Sequence, residues 1–127
     1  MKRQTFLTIA AAVGALFSIV MIASPDKMME GMGTTTSPVT TVVLQVVSVM
    51  LFSLSIITFL ARKDEGSVAL RAIIIGSIVM HLVLLPIDWI AYQKGIFTQI
   101  SGIIPGTIVH FVLTAGFIYT LNNMGKK

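Results

Sequence analysis

The chain has 127 residues, of which 55% are hydrophobic and 11% are charged, and none is cysteine; its mean hydropathy is +0.93. Soluble domains carry about 25% charged residues, so this composition excludes a water-soluble globule, a disordered segment and a nucleic-acid-binding module. The absence of cysteine from the chain excludes disulfides, thiolate catalysis and cysteine-ligated zinc or iron–sulfur sites. The net charge of +4 comes from lysines and arginines beside apolar segments, which indicates membrane topology rather than a phosphate-binding surface.

Four apolar segments are long enough to cross a bilayer, which takes about 20 residues at a rise of about 1.5 Å each. They are residues 5–23, 38–61, 70–91 and 103–122. Only short loops remain between them. The sequence therefore predicts an all-α membrane protein, a single four-helix transmembrane domain over residues 1–127 with up-down-up-down topology.

The first apolar segment has some features of a secretory signal, since basic residues precede it and Ala23 and Ser24 end it. Cleavage after Ser24 would place Pro25 immediately downstream and Ile22 at a position that needs a small residue, and the apolar run exceeds a usual signal core. We therefore expect a retained helix.

The loops carry local signals for where helices begin and turn. Ser24 before a proline predicts the N-cap of a short interfacial helix that Gly31 ends. Ser37, also before a proline, predicts the start of the second span in the same way. Gly66 is the expected turn residue of the charged loop between the second and third spans.

Lysine and arginine are distributed unequally between the two sides of the membrane. One side carries Lys2, Arg3, Arg62, Lys63, Arg71, Lys126 and Lys127, and the other carries Lys27 and Lys94. Because basic residues that flank apolar spans are retained in the cytoplasm, both termini are expected to be cytoplasmic.

Polar and small residues inside the spans recur at helical spacing. The second span has Thr41, Gln45, Ser48 and Ser55, the third has Ser77, His81, Asp88 and Tyr92, and the fourth has Gly102, Gly106, His110 and Thr114. At about 100° per residue each set stays on one helix face. Since helices in a bilayer associate through small and polar residues, these faces are expected to meet at a common axis.

Some of these residues are predicted to form a polar pocket that opens to the outer side. The predicted ligand-binding residues are Gln45, Ser48, His81, Asp88, His110 and Thr114. Gln45 and the three ionisable residues lie roughly 5 to 15 Å below the outer boundary, at about 1.5 Å per residue. A charged side chain at the bilayer centre costs at least about 2.5 kcal/mol unless it is partnered, so an Asp–His contact is expected, either neutral or as an ion pair.

Several functions fit this pattern. The leading hypothesis is a multi-pass membrane protein whose pocket binds a small amphipathic ligand of lipid or quinone type, or a membrane partner. The alternative is a structural subunit of a larger membrane complex or homo-oligomer, assembled through Ala10, Gly14 and Ser18. The third is a haem- or quinone-linked oxidoreductase, in which His81 and His110 would ligate the iron of haem b. The histidines also fit a purely structural role, as hydrogen-bonding residues that specify helix packing; no catalytic residue, other metal or other cofactor is predicted.

A set of residues spread over most of the chain carries a family resemblance. These are Pro25 and Gly31 after the first helix, Arg71, Gly76, His81 and Gly95 in and after the third, and the closing run from His110 to Tyr119. In these features the sequence resembles the DoxX-like group of small bacterial four-helix membrane proteins, although a tryptophan expected before the fourth helix is missing. The resemblance implies an integral protein of the bacterial inner membrane, in a group sometimes associated with redox or stress functions, and it assigns no catalytic residue.

Overall fold

The computed structural model describes residues 2–124; Lys126 and Lys127, which entered the orientation argument, lie outside this range. Within it the chain forms five helices and no strand. They are α1 (Arg3–Ala23), α2 (Pro25–Gly31), α3 (Pro38–Ala61), α4 (Val68–Gln93) and α5 (Ile100–Asn122). The predicted all-α fold is confirmed, and the predicted spans correspond to α1, α3, α4 and α5.

The four long helices have 21 to 26 residues each and are apolar enough to cross a membrane. Large apolar side chains also cover their outer faces, for example Leu16, Met50 and Phe111, each about two-thirds exposed. A soluble monomer rarely presents so much apolar surface to water, whereas acyl chains solvate it well. The helices therefore fit a multi-pass membrane protein, while its orientation stays a prediction.

Of the described residues, 2–62 belong to a first compact unit, a hairpin in which α1 and α3 run antiparallel. The short helix α2 joins them, and Asp26 at its start accepts hydrogen bonds from Thr36 and from Thr41 in the first turn of α3. Gly14 lies where the two long helices pack closely, because a Cβ atom added to it would collide with Oγ of Ser55. Small residues thus permit close helix packing, as is typical of membrane proteins.

The starts of α2 and α3 follow the two serine–proline signals. Ser37 precedes α3, and its Oγ accepts a hydrogen bond from the backbone N–H of Thr40 at 3.1 Å. Ser24 takes the N-cap position of α2, but its side chain makes no capping hydrogen bond. The chain leaves α2 through Gly33, which has a φ of 75°.

Of the described residues, 63–124 belong to a second compact unit, a hairpin of α4 and α5. The turn before α4 is held by Asp64, whose Oδ1 accepts hydrogen bonds at 2.8 Å from the backbone N–H groups of Gly66 and Ser67. Ser67 then caps α4 by accepting from the N–H of Leu70 at 3.1 Å. Gly66 has a φ of 114°, so it is the predicted turn residue. The predicted organisation as a single domain stays a prediction.

Candidate functional site

The two histidines of the chain meet between α4 and α5. Nδ1 of His81 lies 2.9 Å from Nδ1 of His110, and the ring centroids are 5.1 Å apart. His81 is only 7% exposed. Because an imidazole nitrogen either donates or accepts, one ring donates its N–H and the other accepts it. The two rings therefore form a direct hydrogen bond within the apolar part of the hairpin.

An aromatic side chain holds one face of this pair. The ring of Phe117 stacks on His81 with a centroid distance of 5.9 Å and an interplanar angle of 16°. Phe117 is buried and lies seven residues after His110, which places both on the same face of α5. The ring of Phe117 therefore packs beside the histidine whose Nδ1 contacts His110.

Asp88 brings a carboxyl group close to the histidine pair. It lies two turns after His81 on the same face of α4, and its Oδ2 is 4.0 Å from the position of a Cβ added to Gly106. Gly106 lies one turn before His110. Asp88 and His110 are close enough to interact electrostatically. Asp88 makes no hydrogen bond among the residues described, so the expected direct Asp–His contact is replaced by a His–His contact with the carboxyl nearby.

Two threonine hydroxyls beside His110 are buried without a partner. Oγ1 of Thr107 and Oγ1 of Thr114 form no hydrogen bond with any residue in the described range, and Thr114 is 6% exposed. Elsewhere in this hairpin, Ser77 and Thr120 donate to the carbonyl oxygen four residues earlier at 2.8 Å. A buried hydroxyl left unsatisfied costs about 1–3 kcal/mol, and no residue in the described range offsets that cost for these two groups.

The predicted site residues are only partly brought together. His81, Asp88, His110 and Thr114 belong to the α4–α5 hairpin, whereas Gln45 and Ser48 belong to the first unit. Gln45 is exposed, and Ser48 is fully buried and donates to the carbonyl oxygen of Leu44. The candidate site is therefore taken to consist of residues of the second unit. Sequence reasoning missed Thr107 and Phe117, although their spacing from His110 places them on the same helix face.

The histidine pair does not fit axial ligation of haem b. Two nitrogens that bind one metal ion from opposite sides are about 4 Å apart, because each bond is about 2 Å long. The two Nδ1 atoms are only 2.9 Å apart and are hydrogen-bonded to each other, which leaves no room for a metal ion between them. Among residues 2–124, no group of three or more histidine and carboxylate side chains is placed to hold a metal ion.

The structure also contains an open groove of about 270 Å³ between α1 and α3. None of the predicted ligand-binding residues lines it. Its walls are Thr8, Ala11, Ala12, Ala15, Phe52, Ser55, Ile56 and Phe59. Beside the groove, the small residues Ala10 and Ser18 are buried and Gly14 contacts Ser55, so this ridge already packs within the chain.

Comparison of the sequence with protein-family models, with curated proteins and with solved structures finds no match. The resemblance to the DoxX-like group therefore stays a prediction.

Proposed function

We propose that this multi-pass protein resides in a bacterial inner membrane with both termini in the cytoplasm, and that its α4–α5 hairpin binds the polar headgroup of a small amphipathic molecule of lipid or quinone type. The observation that carries this proposal is the hydrogen-bonded pair His81–His110, with unpartnered hydroxyls beside it on α5. Ionisable side chains within membrane spans are costly and are usually functional.

The histidine pair offers a defined hydrogen-bonding pattern to a ligand. In a neutral pair, the ring that donates from Nδ1 has a lone pair at Nε2, and the ring that accepts at Nδ1 carries its hydrogen on Nε2. The pair therefore presents one acceptor and one donor. The donor is complementary to a quinone carbonyl, and the donor and acceptor together are complementary to a quinol hydroxyl or to a lipid hydroxyl beside an ester carbonyl.

The threonines and the aspartate extend the same polar surface. Thr107 and Thr114 each have a hydroxyl without a partner among the residues described, and Asp88 adds two carboxyl oxygens near His110. A headgroup that bonds to these hydroxyls removes the free-energy cost of leaving them unsatisfied. This free energy is recovered only when a ligand is bound. It therefore favours a binding role for the two threonines over a purely structural one.

The depth of the pair favours a ligand that partitions into the bilayer. His81 is the fourteenth of the 26 residues of α4, so it lies near the middle of a helix long enough to span the hydrocarbon layer. A water-soluble ligand would have to enter this layer, whereas an amphipathic one already resides there. The proposed step is binding, without a redox reaction.

Trp89, the single tryptophan of the chain, provides a direct test because it follows Asp88. A benzoquinone with a ten-carbon tail, titrated into the purified protein in mild detergent, is expected to quench its fluorescence with saturation. His81→Gln combined with Asp88→Asn should abolish the saturable component while circular dichroism and size-exclusion profiles remain unchanged.

Thr120→Val is the matched control, because Thr120 is a buried threonine of α5 whose hydroxyl already bonds to Gly116. It should leave the quenching curve as in the parent protein. Equal saturable quenching by the His81→Gln, Asp88→Asn double variant contradicts the proposed site.

A further inference from the structure

We propose that the groove between α1 and α3 binds one acyl chain of an anionic phospholipid, whose phosphate is held by Arg62 at the groove mouth. This site consists only of residues of the first unit, whereas the histidine pair belongs to the second. It does not depend on the proposed function of the α4–α5 hairpin.

The groove has the shape and chemistry of a site for a hydrocarbon chain. Alanines of α1 form one wall, and Phe52, Ile56 and Phe59 of α3 form the other. Phe52 and Phe59 are seven residues apart, which corresponds to about 10 Å along the helix. The volume of about 270 Å³ lies just below the roughly 300–1,000 Å³ of pockets that enclose a whole small ligand. It therefore suits part of a lipid chain.

An arginine at the mouth of the groove has N–H donors that are not used among the described residues. The guanidinium carbon of Arg62 lies 3.5 Å from the ring centroid of Phe59, which lines the groove. One Arg62 nitrogen donates to the backbone carbonyl of Phe59. A guanidinium has five N–H donors, so the others are available for a phosphate, which arginine binds in a bidentate manner.

The two ends of this hairpin differ in net charge. Lys2, at the start of α1, and Arg62, at the end of α3, lie at the same end because the helices are antiparallel. At the opposite end, α2 carries Asp26, Lys27 and Glu30, which together have a net charge of −1. The groove mouth is therefore a positive end of the hairpin, and it is complementary to an anionic headgroup rather than to a neutral one.

Native mass spectrometry can test this site on the full chain in mild detergent. Phosphatidylglycerol and phosphatidylcholine with identical acyl chains would be titrated in parallel. We expect the anionic lipid to bind about fivefold more tightly, the difference typical of one basic residue at a lipid surface. Arg62→Gln should reduce phosphatidylglycerol affinity about fivefold and leave phosphatidylcholine unchanged.

Two further variants separate the groove from general surface charge. Ala12→Leu fills the groove and should weaken binding of both lipids, whereas Ala115→Leu, an exposed alanine of α5, should change neither. Arg71→Gln removes an exposed arginine of α4 and should also have no effect.

Equal affinities for the two lipids in the parent protein overturn the proposal. So does an equal loss of phosphatidylglycerol binding in Arg71→Gln, or unchanged binding in Ala12→Leu. Displacement of phosphatidylglycerol by inorganic phosphate would assign the arginine to a free anion instead and would also overturn it.

Discussion

His81 and His110 face each other through Nδ1 atoms that are 2.9 Å apart, and only one of these atoms can carry the hydrogen of that contact. If both rings are neutral, the two histidines must be opposite tautomers. A ring stacked on Phe117 is constrained in orientation, so this tautomer difference should persist. It is also the origin of the donor and acceptor that the pair offers to a headgroup.

The tautomer difference is directly measurable because the chain has just two histidines. In protein labelled with ¹⁵N-histidine, spectra recorded at pH 9, above the ordinary imidazole pKa of about 6.5, should show one Nδ1–H ring and one Nε2–H ring. His110→Leu should leave one imidazole signal set and identify which ring is which. Two Nε2–H rings in the parent protein would contradict the observed contact.

The unpartnered hydroxyl of Thr114 predicts an unusual effect on stability. Thr114→Val removes a buried hydroxyl that has no partner among the described residues, so the free energy of unfolding should rise by about 1 kcal/mol. Thr120→Val instead removes a hydrogen bond to Gly116 and should lower that free energy by about 0.5–1.5 kcal/mol. Unfolding in a graded detergent titration measures both.

The same pair of variants links stability to binding. Thr114→Val should weaken saturable binding of the tailed benzoquinone, whereas Thr120→Val should not. If Thr114→Val destabilises the protein as much as Thr120→Val does, the Thr114 hydroxyl has a partner and is not held for a ligand.

Close packing in the first unit predicts a strong effect of one added methyl group. Oγ of Ser55 lies too close to the position that a Cβ on Gly14 would take, and it is held there by a 2.8 Å hydrogen bond to the carbonyl of Leu51. Gly14→Ala should therefore destabilise the protein by about 1–3 kcal/mol. Adding Ser55→Ala should restore part of this loss, as measured by the same detergent titration.

Gly76 is the matched control, because no atom lies within 4 Å of a Cβ added there. Gly76→Ala should be neutral or should stabilise α4 by up to about 1 kcal/mol, the difference in helix propensity. Equal destabilisation by the two glycine substitutions would show that α1 and α3 do not pack through Gly14.

The orientation of the chain can be tested because it contains no cysteine. Lys94→Cys places a thiol in the loop between α4 and α5, and Glu65→Cys places one in the loop between α3 and α4. A membrane-impermeant maleimide should label the first variant in intact bacteria and the second only after permeabilisation. The reverse pattern would place the termini outside the cytoplasm.

The helices were largely predictable because their signals are local. Length and hydropathy identified all four spans, and the end residues of α3 coincide with the prediction. The other spans extend two or three residues beyond the predicted ends, as at Ile100, which begins α5. Hydropathy does not show where a helix continues into polar residues such as Arg3 and Gln93. Capping at Ser37 and the left-handed turn at Gly66 followed from residue types with strong conformational preferences.

The site was less predictable because helical periodicity identifies a face but not what that face contacts. Gln45 was grouped with Ser48, yet three residues rotate a helix position by about 60°, and Gln45 is exposed while Ser48 is buried. The His–His contact depends on how far α4 is shifted along α5, which a single sequence does not specify. The groove between α1 and α3 arises from small residues opposite large ones, and such pairing appears only in three dimensions.

Native mass spectrometry of the protein purified from its own membrane can show whether the α4–α5 hairpin holds a ligand. We expect a small-molecule adduct that is lost in the His81→Gln, Asp88→Asn double variant and retained in Arg62→Gln, which should lower only the binding of anionic lipid. An adduct pattern identical in the parent protein and the double variant would contradict ligand binding at the α4–α5 hairpin.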